Sequence, residues 1–354
     1  MSKISVMGDL HAAKHREFNF NNGRLTEAIK VLGWWFRESH ERGANIGVFV
    51  GDLFHNRGLI DVEVFTEVYE TIRACMDGPD RFERLFLLVG NHDQATKDGA
   101  IHSLKPFRAI QGVTVVDWPM DTHTGMAFVP YYDRIEELRA NMAEMCEGRK
   151  HRTTLFLHSG IDGAMVGPND YVMKDALKPE DLEGWKTVYS GHYHNHQAML
   201  FTTNGVSMSV VIPGSPLQTN RGERTGLHGF VIIDKDHSMQ FVENDFSPKF
   251  VETDFYEWCK NPNPYADEWA KNYVTLTVDT DIQAGSVLTQ YGGKCPPWLV
   301  IKRAQDEGQI DAQAIEVKLD DDDGDLIKRY AENASRPEAV ASGLGYLHGE
   351  RITE

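Results

Sequence analysis

Short apolar runs alternate with stretches of helical spacing through the first 200 residues, and five of those runs end abruptly in a polar cluster. Ile4–Met7 leads into Gly8-Asp9-Leu10-His11, Ile46–Val50 into Gly51-Asp52-Leu53-Phe54-His55, and Leu85–Val89 into Gly90-Asn91-His92-Asp93. Thr154–Leu157 leads into His158-Ser159-Gly160, and Thr187–Ser190 into Gly191-His192-Tyr193-His194. Runs this short, with β-branched or aromatic members, predict buried strands. Arg24–Arg42 carries Leu25, Ala28, Ile29, Leu32, Trp35 and Phe36 at helical spacing, with Gly43 placed to end the helix. Val62–Met76 repeats the pattern with Val64, Phe65, Val68, Tyr69, Ile72 and Cys75. Strand and helix in alternation predict a layered α/β fold, whose ligands collect outside the carboxyl ends of the strands. The polar clusters stand at those ends.

From Met199 to Asn244 the pattern tightens. Val206–Ile212, Phe230–Ile233 and Met239–Glu243 are separated by Gly, Pro, Asn and Asp, which predicts antiparallel strands completing the sheet. Asn261-Pro262-Asn263-Pro264 reads as a linker or long turn, and Tyr273–Val278 as a strand. Beyond it we expect a helical stretch around Pro297–Asp306, an acidic turn at Asp320–Asp323 and a helix near Leu326–Ala334.

Composition narrows this little. A chain of 354 residues suggests about two domains. The N-terminus shows no apolar stretch of signal-peptide length and no run could span a bilayer, so the expected location is the cytoplasm (that of a host cell if the gene is viral). Cys75, Cys146, Cys259 and Cys295 form no CxxC pair, which argues for free thiols and against a zinc knuckle. Charge says more. With 36 Lys and Arg against 53 Asp and Glu the net is −17, which disfavours a simple DNA-coating protein. Nucleic acid stays accessible if metal ions or a basic partner supply the positive field.

The five clusters together offer Asp9, His11, Asp52, Asn91, His158, His192 and His194. Carboxylate, amide and imidazole without thiolate suit borderline or hard divalent ions such as manganese, iron or zinc. Two ions about 3.5–4 Å apart need roughly this many donors and one bridging carboxylate, and such a pair serves attack on phosphorus. His92 stands between Asn91 and Asp93, where an imidazole can donate a proton near neutral pH.

Asp-x-His, Gly-Asp-x-x-His, Gly-Asn-His-Asp, a lone His after a strand and Gly-His-x-His, in that order, resemble the calcineurin-like metallophosphoesterase superfamily. The resemblance implies an α/β fold with a layered β-sandwich core flanked by helices and a small C-terminal capping region. It implies one ion on Asp9, His11, Asp52 and His194, a second on Asp52, Asn91, His158 and His192, and His92 as the catalytic acid. Phosphoprotein phosphatases carry Asp three residues after the bridging Asp. Here His55 stands there, as in SbcD-type DNA repair nucleases, where the matching histidine helps to handle phosphate. Gly214-Ser215-Pro216, Gly222-Glu223 and Gly229-Phe230-Val231-Ile232 also resemble SbcD proteins, and Ser247–Val251 resembles the step into their capping domain. The length is similar to that of the compact recombination endonuclease subunits of tailed phages. Ala12-Ala13 departs from the usual Leu-Gly after the second ligand.

The resemblance implies three parts: a nuclease domain over 1–245, a capping, DNA-recognising domain over 246–304, and a helical partner-binding segment over 305–354. It also implies a manganese-dependent DNA exonuclease or endonuclease (magnesium, iron and zinc being alternatives), an SbcC-like coiled-coil ATPase partner, and a homodimer. His92, His55 and Asp93 are the expected catalytic group. Lys14, Arg16, Arg57, Lys97, Lys105, Arg221 and Arg224 lie near the motifs and are candidates for the DNA backbone. Two other readings stand beside this one: a phosphatase or small-molecule phosphodiesterase on the same fold, and a scaffold without catalysis. Any single histidine of the set would ordinarily be a packing or surface residue; the ordered set of seven ligand types carries the signal. Trp34, Trp35 and Phe36 read as core, and His196 as a surface residue. Asp320–Asp323 fails the calcium-loop pattern, because Gly324 at position six puts Leu319 at position one.

Overall fold

The computed structural model describes residues 2–15, 17–122, 125–146, 154–166, 171–172, 176–260 and 267–304. Arg16, the Asn261–Pro264 turn, the Asp320–Asp323 run and the expected C-terminal helical segment 305–354 lie outside them. No helix among the described residues is long and apolar enough to cross a membrane.

Two six-stranded sheets form the centre. In the first, Ile4–Met7, Ile46–Phe49, Arg84–Leu88 and Val113–Val116 run parallel, and Gly229–Ile233 and Met239–Glu243 extend the edge antiparallel. In the second, Met126–Val129, Thr154–His158, Thr187–Gly191 and Val206–Ile212 run parallel, with Gln197–Thr203 antiparallel to the last. The expected antiparallel strands beyond Met199 are therefore divided between two sheets and do not complete a single one.

Both faces of the central parallel strands are covered, which is why their sequences read as unbroken apolar runs. Val6, Val48, Phe86 and Leu88 of the first sheet meet Phe128, Phe156, Tyr189 and Val211 of the second in the inter-sheet core. Phe86, Phe128, Phe156 and Tyr189 stack ring on ring through it. The outer face of the first sheet is packed by helices Gly23–Glu41 and Val62–Asp77. Trp34, Trp35 and Phe36 are all buried there, and Trp35 Nε1 donates to Ser5 Oγ at 2.7 Å. Asp61 caps the second helix by accepting from the Glu63 and Val64 amides. Helix Ile135–Cys146 belongs to the outer core of the second sheet through Leu138 and Met142.

A third sheet of three parallel strands, Phe250–Asp254, Tyr273–Val278 and Leu299–Arg303, has its own apolar cluster around Trp258, Val274, Leu276 and Val287. Leu299–Arg303 corrects the helix expected around Pro297–Asp306: the stretch is a strand, paired with Val274–Val278. Leu299, Val300 and Ile301 favour an edge position on a pleated surface over a helix once a neighbour is in place.

Candidate metal centre

The parallel strands of the two sheets place the five clusters at their carboxyl ends. Backbone bonds stitch the loops together. Asp9 N–H donates to Gly51 O at 2.9 Å and His11 N–H to Asp52 O at 3.1 Å. Across the sheets, His192 N–H donates to Asp9 Oδ1 at 2.9 Å, and His158 Nδ1–H donates to Val50 O at 2.7 Å.

The loops are strained where they carry donors. Of nine described non-glycine residues with positive φ, four are Asp9, His11, Asp52 and His192. Such conformations cost on the order of 1–3 kcal/mol each and persist where the surroundings impose them, typically at functional sites. Close approach sets the glycines as well. A Cβ on Gly90 would lie 2.3 Å from both Asp52 N and Asp52 Oδ1, and one on Gly51 2.3 Å from His158 Nδ1. Gly90→Ala should therefore displace Asp52, cost about 1–3 kcal/mol by overpacking, and abolish binding of two ions. Thermal melting and metal content of the purified variant check this.

The donor atoms converge in two groups that share Asp52. His11 Nε2 lies 3.5 Å from Asp52 Oδ2 and 3.0 Å from His194 Nε2. On the other side, His158 Nε2 lies 3.5 Å from Asp52 Oδ1 and 2.9 Å from Asn91 Oδ1, and His192 Nδ1 lies 3.2 Å from Asn91 Oδ1. Donors on adjacent corners of an octahedron with 2.0–2.1 Å bonds are about 3.0 Å apart. With its Nδ1 proton on Val50, His158 brings Nε2 to 2.9 Å from Asn91 Oδ1. That contact takes a proton on Nε2, a cation between the two atoms, or a turned carboxamide. Hydrogen bonding alone would turn the Asn91 carboxamide over, with its oxygen toward Arg57; ligation needs the oxygen among the imidazoles. Asp9 Oδ2 is buried without a hydrogen-bond partner, as an anionic donor to a cation would be.

The electrostatics agree. Burial raises Asp9 to about 7. Burial also opposes ionisation of Asp52, but the His158 charge and hydrogen bond prevail and hold it well below the carboxylate range. Burial likewise disfavours charge on His158, yet the Asp52 carboxylate lifts it to about 9. His11 and His192 are kept neutral chiefly by burial, the latter at about 4. An anionic bridge flanked by imidazoles is the donor set that suits two divalent ions.

His92 and His55 stand at the mouth. The rings of His92 and His11 are 4.7 Å apart edge to face, and His55 stacks on His92 at 5.6 Å. His92 N–H donates to Asp52 Oδ1 at 2.8 Å, while its Nδ1 donates to His55 O at 2.6 Å and leaves Nε2 free. Asp93 serves the backbone: its buried carboxylate accepts from the amides of Asp52, Leu53, Phe54 and Gly90 at 2.9–3.2 Å. It anchors the Asp52 loop to the Asn91 loop.

Most of the candidate DNA cations face acids of their own chain. Lys14 pairs with Asp61 and Glu63, Lys97 with Asp133, Arg221 with Glu17 and Arg224 with Glu252. Lys105 Nζ donates to Ala100 O. Arg57 is exposed, makes no ion pair among the described residues, and brings Nη2 within 2.5 Å of the Asn91 carboxamide. Two residues with no expected role also belong to the site. Tyr131 stacks on His192 at 6.3 Å. Glu223 reaches His194 Nδ1 at 2.6 Å. In the sequence, Gly222-Glu223 carries part of the family resemblance, and Tyr131 carries no mark at all.

Comparison with known proteins gives three findings. Exonuclease subunit 1 of Enterobacteria phage T4 is 22% identical over 246 residues, covering 66% of this chain and 65% of that relative. A dimetal phosphatase from Danio rerio superposes with a TM-score of 0.42 at 11% identity, over 65% of this chain and 91% of the other. Residues 2–211, which hold all five clusters, match the sequence profile of the calcineurin-like phosphoesterases. By that match over more than half of its length, this chain belongs to the calcineurin-like phosphoesterase family.

Proposed function

We propose that this chain is the nuclease subunit of a DNA-processing complex, hydrolysing phosphodiester bonds with two divalent ions, preferably manganese. The observation that carries the reading is the shared carboxylate: Asp52 turns Oδ2 to His11 and Oδ1 to His158. Asp9, His11, Asp52 and His194 would hold one ion, and Asp52, Asn91, His158 and His192 the other. When bound, the pair supplies Lewis acidity and lowers the pKa of water for attack on phosphorus.

The chain's own groups do the rest. His92 Nε2 protonates the leaving oxygen, and His55 backs its ring. Arg57 takes a non-bridging phosphate oxygen by a charge-assisted bond. Support for DNA as the substrate comes from His55, where a phosphoprotein phosphatase would have Asp, and from the exonuclease relative. That relative is named a subunit, which supports a complex. We assign the ATPase role to an SbcC-like partner, the third sheet to capping the DNA, and the functional unit to a homodimer.

End-labelled linear duplex DNA incubated with the protein and manganese tests the proposal, with Asp52→Ala as control. Degradation by the wild type alone supports it. If DNA stays intact, with or without an ATPase partner, while a small phosphomonoester is turned over, the nuclease reading falls and a phosphatase takes its place. Arg57→Ala should keep both ions and raise KM for DNA about tenfold, the worth of one charged hydrogen bond. An unchanged KM would remove Arg57 from the substrate.

A further inference from the structure

We propose that Glu223 is a positioning residue of the metal centre, fixing the ring of His194 and through it one of the two ions. The proposal rests on His194 being a ligand, as above. Glu223 comes from a loop 29 residues further along the chain, after the second sheet, and its side chain is only 7% exposed. His194 Nδ1–H donates to Oε1 at 2.6 Å. That bond fixes the tautomer, so the Nε2 lone pair faces His11 Nε2, 3.0 Å away.

The carboxylate is itself held rigidly. Thr219 N–H donates to Oε2 at 2.7 Å and Ser215 Oγ also donates to Oε2, while Thr219 Oγ1 and Asn220 Nδ2 donate to Oε1. His228 Nε2 donates to the Glu223 carbonyl at 2.9 Å. Besides His194, these carboxylate partners are hydroxyl, side-chain amide and backbone donors. Burying an anion is unfavourable unless a group of opposite charge or a polarised donor meets it. Here that donor is the imidazole. By contrast His158 gives its Nδ1 proton to a backbone carbonyl, so the two groups of donors are oriented by different chemistry. A carboxylate behind a ligating imidazole sets its aim and raises its basicity.

The same loop reaches the third sheet. Arg24, buried on the first helix, donates from Nη2 to Thr219 O at 2.7 Å. Its guanidinium lies 5.2 Å from the ring centre of Phe250 and 5.0 Å from that of Tyr273. The aim of His194 is thus tied to the seating of the small sheet.

Manganese titration of the full-length, metal-stripped protein by calorimetry tests this, with the melting temperature of the metal-free form alongside. Glu223→Ala should weaken one ion by about 10–100-fold and leave the other near wild type. Glu223→Gln keeps an oxygen for His194 but sets its NH2 against Thr219 N–H, and should recover part of the loss. If Glu223→Ala binds both ions as wild type does, the proposal is overturned. It is equally overturned if both variants weaken the two ions alike in step with a fall in the melting temperature, since Glu223 would then only hold the loop. A wild type that binds no manganese would remove the centre itself. Failure to cut DNA would leave the titration standing and count only against the nuclease reading.

Discussion

Asp52→Ala is expected to leave the protein unable to hold either ion and to lower hydrolysis by at least about 10⁴-fold. Each ion contributes several kcal/mol of charge stabilisation in such reactions, and every ~1.4 kcal/mol is a factor of ten. Asp52 turns one oxygen to each group of donors, Oδ2 to His11 and Oδ1 to His158. It also accepts the His92 amide and gives His158 its counter-charge. Asp93 cannot take its place, because its carboxylate is committed to four backbone amides, and Asp9 has only Oδ2 to offer once Oδ1 accepts the His192 amide. Asp52→Asn keeps the shape and removes the charge, so it separates the two contributions. Metal content by mass spectrometry and hydrolysis under single-turnover conditions are the measurements. Two ions retained in Asp52→Ala would refute the bridging role.

His92→Ala is the second large effect, and it should differ in kind. The bond from its backbone amide to Asp52 survives in alanine, so both ions should stay. What is lost is a ring held by the His55 carbonyl with Nε2 free beside the centre. Removing a positioned general acid costs about 10²–10⁴-fold in the chemical step. An acid matters most when the leaving oxygen is a poor leaving group. The loss should therefore be large for a DNA phosphodiester and small for an aryl ester whose phenolate leaves unaided. Equal losses on both substrates would assign His92 to orientation and not to proton donation.

Much of the architecture was legible because burial leaves a plain mark. Ile4–Met7, Arg84–Leu88 and Thr154–His158 are covered on both faces, so they read as apolar runs. Gly23–Glu41 and Val62–Asp77 show a buried stripe and read as helices. Leu299–Arg303 is a strand where a helix is expected, because a short apolar run has no periodicity to separate the two; its pairing with the neighbouring strand decides. Gln197–Thr203 alternates covered and exposed positions along its length, and its pairing with Val206–Ile212 makes it a strand where none is expected from the sequence.

The sequence by itself determined the chemistry. Carboxylates, amide and imidazoles, each directly after an apolar run, specify a hard-donor centre at strand ends, since strand direction and connection fix where a following residue falls. Tertiary structure alone decided how those groups face one another. It put Asp52 between two sets of donors, turned Asp93 onto the backbone, and paired Lys14, Lys97, Arg221 and Arg224 with acids far from them in sequence. It also brought Glu223 to His194. The reason is physical: a strand end is a local property of the chain, whereas a hydrogen bond or ion pair between segments exists only once packing has brought both partners within about 3 Å.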